Sequence, residues 1–192
     1  MSAKNRIRDV AFHYFSQYGY EGTALSQIAK EINVKTPSLY AHFSSKEEIF
    51  FYCLEYALES DLDFFQLELE LKDDTIVENT LYNLLLNYEK RLTSEVVSIF
   101  CLRTLYSPPY DFKSQLFLQT NQRIAELGNL LFPLFEHAKT QGNIVNLEIE
   151  EAVEAYLCLF DGLIIEFMYA GSERFQYRLA ASWKLFKHGV FK

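Results

Sequence analysis

Apolar residues recur at helical spacing along almost the whole chain. Between 3 and 18, Ile7, Val10, Ala11, Tyr14 and Phe15 form one stripe, and Gly19 follows as a stop. Leu25, Ile28, Ala29 and Ile32 repeat the i, i+3, i+4, i+7 pattern, and Asn33 supplies the left-handed turn that re-aims the chain. A short helix is predicted over 36–43. A long one over 45–71 carries Ile49, Phe50, Cys53, Leu54, Ala57, Leu58, Leu62, Phe65 and Leu69 on its apolar side. Lys72-Asp73-Asp74 breaks that run. Helices at 75–92 and 95–106 follow, with Thr93-Ser94 between them. Ser107-Pro108-Pro109 is the clearest interruption. After it come helices over 112–140, bent at Pro133, over 148–169, closed by Gly171, and a last one starting at Ser172 and reaching 186–188. The pattern predicts an all-α protein of about nine helices.

The segment 22–49 is the most informative. Thr23 reads as the N-cap of the second helix, and Thr36 with Pro37 as the start of the third. Ser45 and Glu48 have capping-box spacing. Small Ala29 sits where the two short helices would cross. Ile28, Ile32, Val34 and Leu39 would form a miniature core, with Val34 pointing inward. Two short helices joined by so tight a turn form a helix-turn-helix, which lays its second helix in the DNA major groove. Ser38, Tyr40 and His42 would then remain on the outer face.

Charge changes the picture by its distribution. The chain carries a net −8, but residues 1–50 hold six Lys/Arg against five Asp/Glu, and 51–192 hold twelve against twenty-one. The first part can therefore offer Lys4, Arg6, Arg8, Lys35 and Lys46 to phosphates while the second is repelled by them. Cys53, Cys101 and Cys158 are far apart and odd in number, which argues against a disulfide framework or a zinc site and for buried reduced thiols in a cytoplasmic protein. The N-terminus lacks the apolar core of a secretory signal, and no run approaches the ~20 apolar residues of a membrane span. No phosphate loop, HExxH, nucleophile elbow or GxGxxG is present, and the four histidines are scattered. Neither an enzyme nor a bound metal or cofactor is expected.

Tyr18-Gly19-Tyr20, Thr23, Ile28-Ala29, Val34, Leu39-Tyr40, Phe43 and Ser45-Lys46-Glu47 together resemble the DNA-binding domain of the TetR family of bacterial transcriptional repressors, over roughly residues 6–51. Asn33 stands where the family usually has Gly, and Lys35 where it usually has Ser. The resemblance implies a helix-turn-helix DNA-binding domain at 1–47 and an effector-binding and dimerisation domain at 48–192. It implies DNA contacts from Thr23, Lys35, Thr36, Pro37, Ser38, Tyr40, His42 and Lys46. It also implies a cavity in the second domain for a small, mostly hydrophobic effector. Residues expected to face it are Phe64, Tyr88, Phe100, Arg103, Phe117, Asn121 and Phe160.

The helix at 148–169 is apolar on two faces, one of them built of Ala152, Ala155, Leu159, Gly162 and Ile165. One face can meet the domain's own core and the other needs a partner. Together with Phe175, Leu179, Trp183 and Phe186 of the last helix, Ala155, Leu159 and Gly162 are expected at a two-fold, four-helix homodimer seam, where the resemblance also puts it. The expected function is repression from an inverted-repeat operator on double-stranded DNA, relieved by the effector. Two other readings stay open. One is a helix-turn-helix regulator without a small ligand, controlled by abundance or a protein partner. The other is a protein-binding adaptor.

Overall fold

The computed structural model describes residues 2–70 and 76–192, and every regular element in them is helical. They are α1 (Ala3–Gly22), α2 (Leu25–Glu31), α3 (Thr36–Leu39), α4 (Lys46–Glu68), α5 (Val77–Ser94), α6 (Val96–Tyr106), a 3-10 turn at Tyr110–Phe112, α7 (Lys113–Thr140) and α8 (Ile149–Val190). The expected break at Lys72-Asp73-Asp74, and the helix start at Thr75, lie outside the described residues.

Chain-breaking residues act where their chemistry says they should. Gly19 (φ 74°) interrupts α1, and Gly171 (φ 74°) divides α8 into two limbs, so the separate last helix expected after Gly171 is present as the second limb. Asn33 is the one non-glycine residue with positive φ among those described, at 59°. There the Val34 N–H donates to Ala29 O at 2.9 Å and the Asn33 N–H to Lys30 O at 3.1 Å, which is the paired bonding of a Schellman end. Gly142 closes α7 with the same two bonds, Asn143 N–H to Ala138 O and Gly142 N–H to Lys139 O. Asn bears a left-handed φ because its short polar side chain bonds locally, whereas a β-branched residue does not. Asn33→Gly is therefore expected to change stability by no more than ~0.5 kcal/mol and Asn33→Val to cost about 1–2 kcal/mol, as read by urea unfolding.

Three caps differ from the sequence expectation. Thr23 is 2% exposed and its hydroxyl donates to Gly19 O at 2.7 Å; the N-cap of α2 is Ala24, whose N–H donates to Gln27 Oε1. Lys35, not Thr36, caps α3, with Pro37 in the first turn as expected. Ser45 does cap α4 through Glu48 N–H, but the Glu48 carboxylate turns to the N–H and hydroxyl of Ser44, bonds that hold its pKa below the ordinary carboxylate range. Neither Ala24 nor Lys35 bonds its helix end through its own side chain.

The chain divides into two compact units, 1–62 with 92–120, and 63–91 with 121–192. The first unit is therefore not a continuous stretch of sequence. Its core joins Ile7, Phe12, Phe15, Ile28, Leu39 and Phe50 to Phe100, Cys101 and Leu116 from forty or more residues downstream. In the second unit, Tyr156 of α8 donates its buried hydroxyl to Leu81 O of α5 at 2.7 Å. Trp183 lies against Tyr82 at 5.2 Å. Cys53 and Cys101 are buried as expected, and burial pushes the Cys53 thiol far up; Cys158, expected inside, is exposed. None of the described helices is long and apolar enough to cross a membrane.

Candidate nucleic-acid interface

The sequence 33–43 builds a small platform. After the Asn33 turn, α3 lasts four residues, and Leu39 is buried in the same core as Ile7 and Ile28. The His42 and Phe43 N–H groups both donate back to Leu39 O, at 2.9 and 3.0 Å, and Phe43 is buried against Tyr52. With Leu39 and Phe43 as anchors, the intervening side chains have no way to turn inward. Lys35, Pro37, Ser38 and His42 are exposed, Tyr40 is 56% exposed, and Thr36 is half-buried. The structure thus gathers six of the eight residues expected to meet DNA on one outward-facing segment.

The other two are placed differently. Thr23 is buried and its hydroxyl is spent on Gly19 O. Lys46 turns its ammonium onto Tyr20 O at 2.7 Å and Thr23 O at 3.1 Å, over the Tyr20 ring. Val34, expected in the core, is 39% exposed and lines a shallow cleft with Ile7, Ile32, Ser38 and His42. The Schellman end fixes its backbone, and the side chain is carried outward. Of the basic residues on α1, Arg8 pairs with Asp9 at 2.7 Å and covers the Tyr56 ring, Lys4 covers Phe43, and Arg6 makes one long contact to Ile32 O. Arg6 is exposed and lines the cleft with Ser38 and His42, and Lys35 is exposed at the start of α3.

The residues expected around an effector do not form one set. Phe100 is sealed among Phe12, Phe15 and Phe50 in the first unit. Arg103 donates to Ser16 O and Gln17 O, bracing the end of α1. Phe117 is 64% exposed and Asn121 is also exposed. In the second unit, Phe64, Tyr88 and Phe160 do meet, with centroids 5.8 and 5.0 Å from Tyr88. Two buried guanidiniums join them. Arg123 donates to Tyr88 OH at 2.9 Å and lies over Phe65, and Arg91 lies over Phe64. Both had a readable signal: Arg91 falls i+3 from Tyr88 and Arg123 i+7 from Leu116, on the apolar stripes of their helices.

The expected dimer residues also divide. Ala155 and Gly162 are exposed and Leu159 half-buried, and nothing lies within 4 Å of a Cβ built on Gly162. Ala152, read onto the same face, is buried with Tyr156 and Phe160. On the second limb of α8, Phe175, Leu179 and Trp183 are buried in their own chain, and Phe186 stacks on Trp183 half-buried. The stripe was real, but it covers the chain's own core. The exposed apolar residues of that limb are Tyr177 and Leu185.

Residues 7–53 match the family model of bacterial regulatory proteins, tetR family. A stretch of 85 residues is 38% identical to Staphylococcus epidermidis IcaR, an HTH-type negative transcriptional regulator of the biofilm operon icaADBC, and covers 44% of this chain and 44% of that protein. Over 47 residues the identity to IcaR of Staphylococcus aureus strain Newman is 51%, covering 24% of this chain and 25% of that one. The matches thus span less than half the length of these curated relatives. A TetR transcriptional regulator from Chloroflexus aurantiacus J-10-FL superposes with a TM-score of 0.78 at 17% identity, over 98% of this chain and 96% of that one. SmeT in its triclosan complex gives 0.77 at 14%, over 98% and 91%. At these identities the two structures speak for the fold.

Proposed function

We propose that the chain, whose residues 7–53 match the tetR family model of bacterial regulatory proteins, is a DNA-binding transcriptional repressor acting as a homodimer on an inverted-repeat operator. The observation that carries this is the outward segment at 35–42, held between the Asn33 turn and the anchors Leu39 and Phe43. Lys35 and Tyr40 supply phosphate contacts, Thr36, Pro37 and Ser38 supply base-edge and methyl contacts, and His42 can serve either. With only +1 over residues 1–50, the electrostatic contribution of one head is modest, and two heads on two half-sites about 34 Å apart supply the rest.

The partner face combines Ala155, Leu159, Gly162 and Ile165 with Tyr177 and Leu185, all exposed or half-buried on α8. Small residues at Ala155 and Gly162 let two helices approach closely. The direction of regulation follows IcaR, described as a negative regulator. Release by a small effector is supported by the aromatic and guanidinium group around Tyr88 in the second unit, which suits a partly hydrophobic ligand. An effector that shifts operator affinity must bind one state of the dimer better than the other.

Selection of bound sequences from random duplex DNA, at a stated salt concentration, tests the reading. It is expected to return a palindromic site whose half-sites are about one helical turn apart. Recovery of no enriched sequence by a folded dimer would reject it.

A further inference from the structure

Gly19 and the two prolines after α6 leave a cleft within the first unit. At Gly19 (φ 74°) the backbone of α1 leaves helical geometry, and Tyr20 and Glu21 follow that break. Opposite them α6 ends at Tyr106, and Pro108 and Pro109 carry no N–H with which to bond across to α1. The space that remains is about 280 Å³. Phe15 and Phe50 lie at its floor, edge-on to one another at 5.3 Å, and Tyr18 and Tyr20 stand on its rim. The volume falls just below the roughly 300–1,000 Å³ of ordinary ligand pockets, so an occupant is small.

Groups of both signs line this cleft. On the α6 side is Arg103, held by a bond from Nη1 to Ser16 O and a longer one to Gln17 O at 3.4 Å. Its other N–H groups make no bond to a described residue. A guanidinium carries five donors in a fork that matches a carboxylate. Beside it, Thr104 is only 4% exposed, and its hydroxyl has no partner among the described residues. Hydroxyls so deeply placed are ordinarily bonded. On the α1 side is the carboxylate of Glu21, four residues beyond the Gln17 carbonyl that Arg103 touches. Burial, and then the charges of Glu47, Asp111 and Glu21, raise the Tyr20 phenol above its ordinary pKa, so this side is electrically negative. Lys46 rests over the Tyr20 ring but lies outside the lining of the cleft.

A simple anion would meet the negative side, and a simple cation would meet Arg103. A small molecule with both charges satisfies each end. We propose that this cleft binds a free α-amino acid with an aromatic side chain, its carboxylate on Arg103 and the Thr104 hydroxyl, its ammonium on Glu21, and its ring against Tyr18 and Tyr20. The fork of Arg103 fixes the carboxylate, and the tyrosine rings attract both the ligand's ring and its ammonium. The site belongs to the first unit and is separate from the group around Tyr88 in the second.

Titration of the full-length protein without DNA, followed by NMR, tests this. L-Phenylalanine is expected to saturate one site per chain with a dissociation constant on the order of 1 mM. 3-Phenylpropionate lacks the ammonium, 2-phenylethylamine lacks the carboxylate, and glycine lacks the ring. Each is expected to bind about fivefold more weakly or worse. Two variants locate the site. Thr104→Val keeps the side chain's shape, removes the hydroxyl, and is expected to weaken L-phenylalanine about fivefold. Glu21→Gln, at an exposed position, is expected to weaken L-phenylalanine about threefold and to bring it within about twofold of 3-phenylpropionate. Circular dichroism checks both folds, and Glu21→Gln carries the test alone if Thr104→Val does not fold. No saturation by L-phenylalanine up to about 20 mM would overturn the proposal. Equal affinity for any of the three control compounds would overturn it, as would unchanged L-phenylalanine binding in the folded variants. Because no DNA is present, such a failure leaves the DNA-binding reading standing.

Discussion

A dimer carrying Tyr40→Ala and His42→Ala together is expected to lose operator binding about a thousandfold at fixed salt, with its fold intact. Both side chains are exposed and neither makes a capping side-chain bond, and exposed substitutions of this kind shift stability by only about 0.5 kcal/mol. Each contact to a base edge is worth about 1–3 kcal/mol. Two residues in two subunits remove four contacts. At about 1 kcal/mol each, near the weak end suited to a mixture of phosphate and base contacts, the loss is ~4 kcal/mol, or about three decades in the dissociation constant. Fluorescence anisotropy on the selected operator measures it, and circular dichroism confirms the helices. Unchanged binding by the folded double variant would remove the platform at 35–42 from the DNA interface.

The second large effect concerns stability. Phe50→Ala is expected to cost about 3–5 kcal/mol, a sizeable share of the ~5–15 kcal/mol that holds a typical domain. The Phe50 ring is 2% exposed and meets Phe15, Tyr20, Phe100 and Phe112, with centroids between 5.1 and 5.7 Å. Three of those four contacts are edge-on, the arrangement that adds to simple burial. No neighbour is flexible enough to fill the space, so the cavity persists. Phe117→Ala, which removes a ring that is 64% exposed, is the control and is expected to change stability by less than ~0.5 kcal/mol. A urea titration of both separates them, and equal midpoints would show that the aromatic cluster is not where the stability lies.

Local chemistry made much of this legible in the sequence. Asn33 turns the chain because its side chain tolerates a left-handed backbone, Gly171 divides α8, and Leu39 and Phe43 anchor α3, all as their residue types dictate. The misreadings share one origin. Periodicity shows that a stripe is apolar, but not what covers it. Phe175, Leu179 and Trp183 form such a stripe and cover their own core, leaving Tyr177 and Leu185 outside. Phe100 and Arg103, expected to line a cavity in the second domain, instead join α6 to α1 within the first unit, because nothing in the sequence near them shows that Phe12 and Ser16 will be their neighbours. The cap displaced by one residue is another case: Thr23 and Ala24 are both extended, and the Thr23 hydroxyl turns back to Gly19 O instead of forward to α2.

The first unit takes its residues from both 1–62 and 92–120, and this affects its birth on the ribosome. When residue 62 has been added, Phe12, Phe15 and Phe50 still lack the rings of Phe100 and Phe112. At ~5–20 residues per second, those rings arrive roughly 2–10 s later. For that interval the nascent first unit lacks part of its ring lining, so a fragment ending near residue 62 is expected to be a sticky folding intermediate and not a miniature of the finished unit.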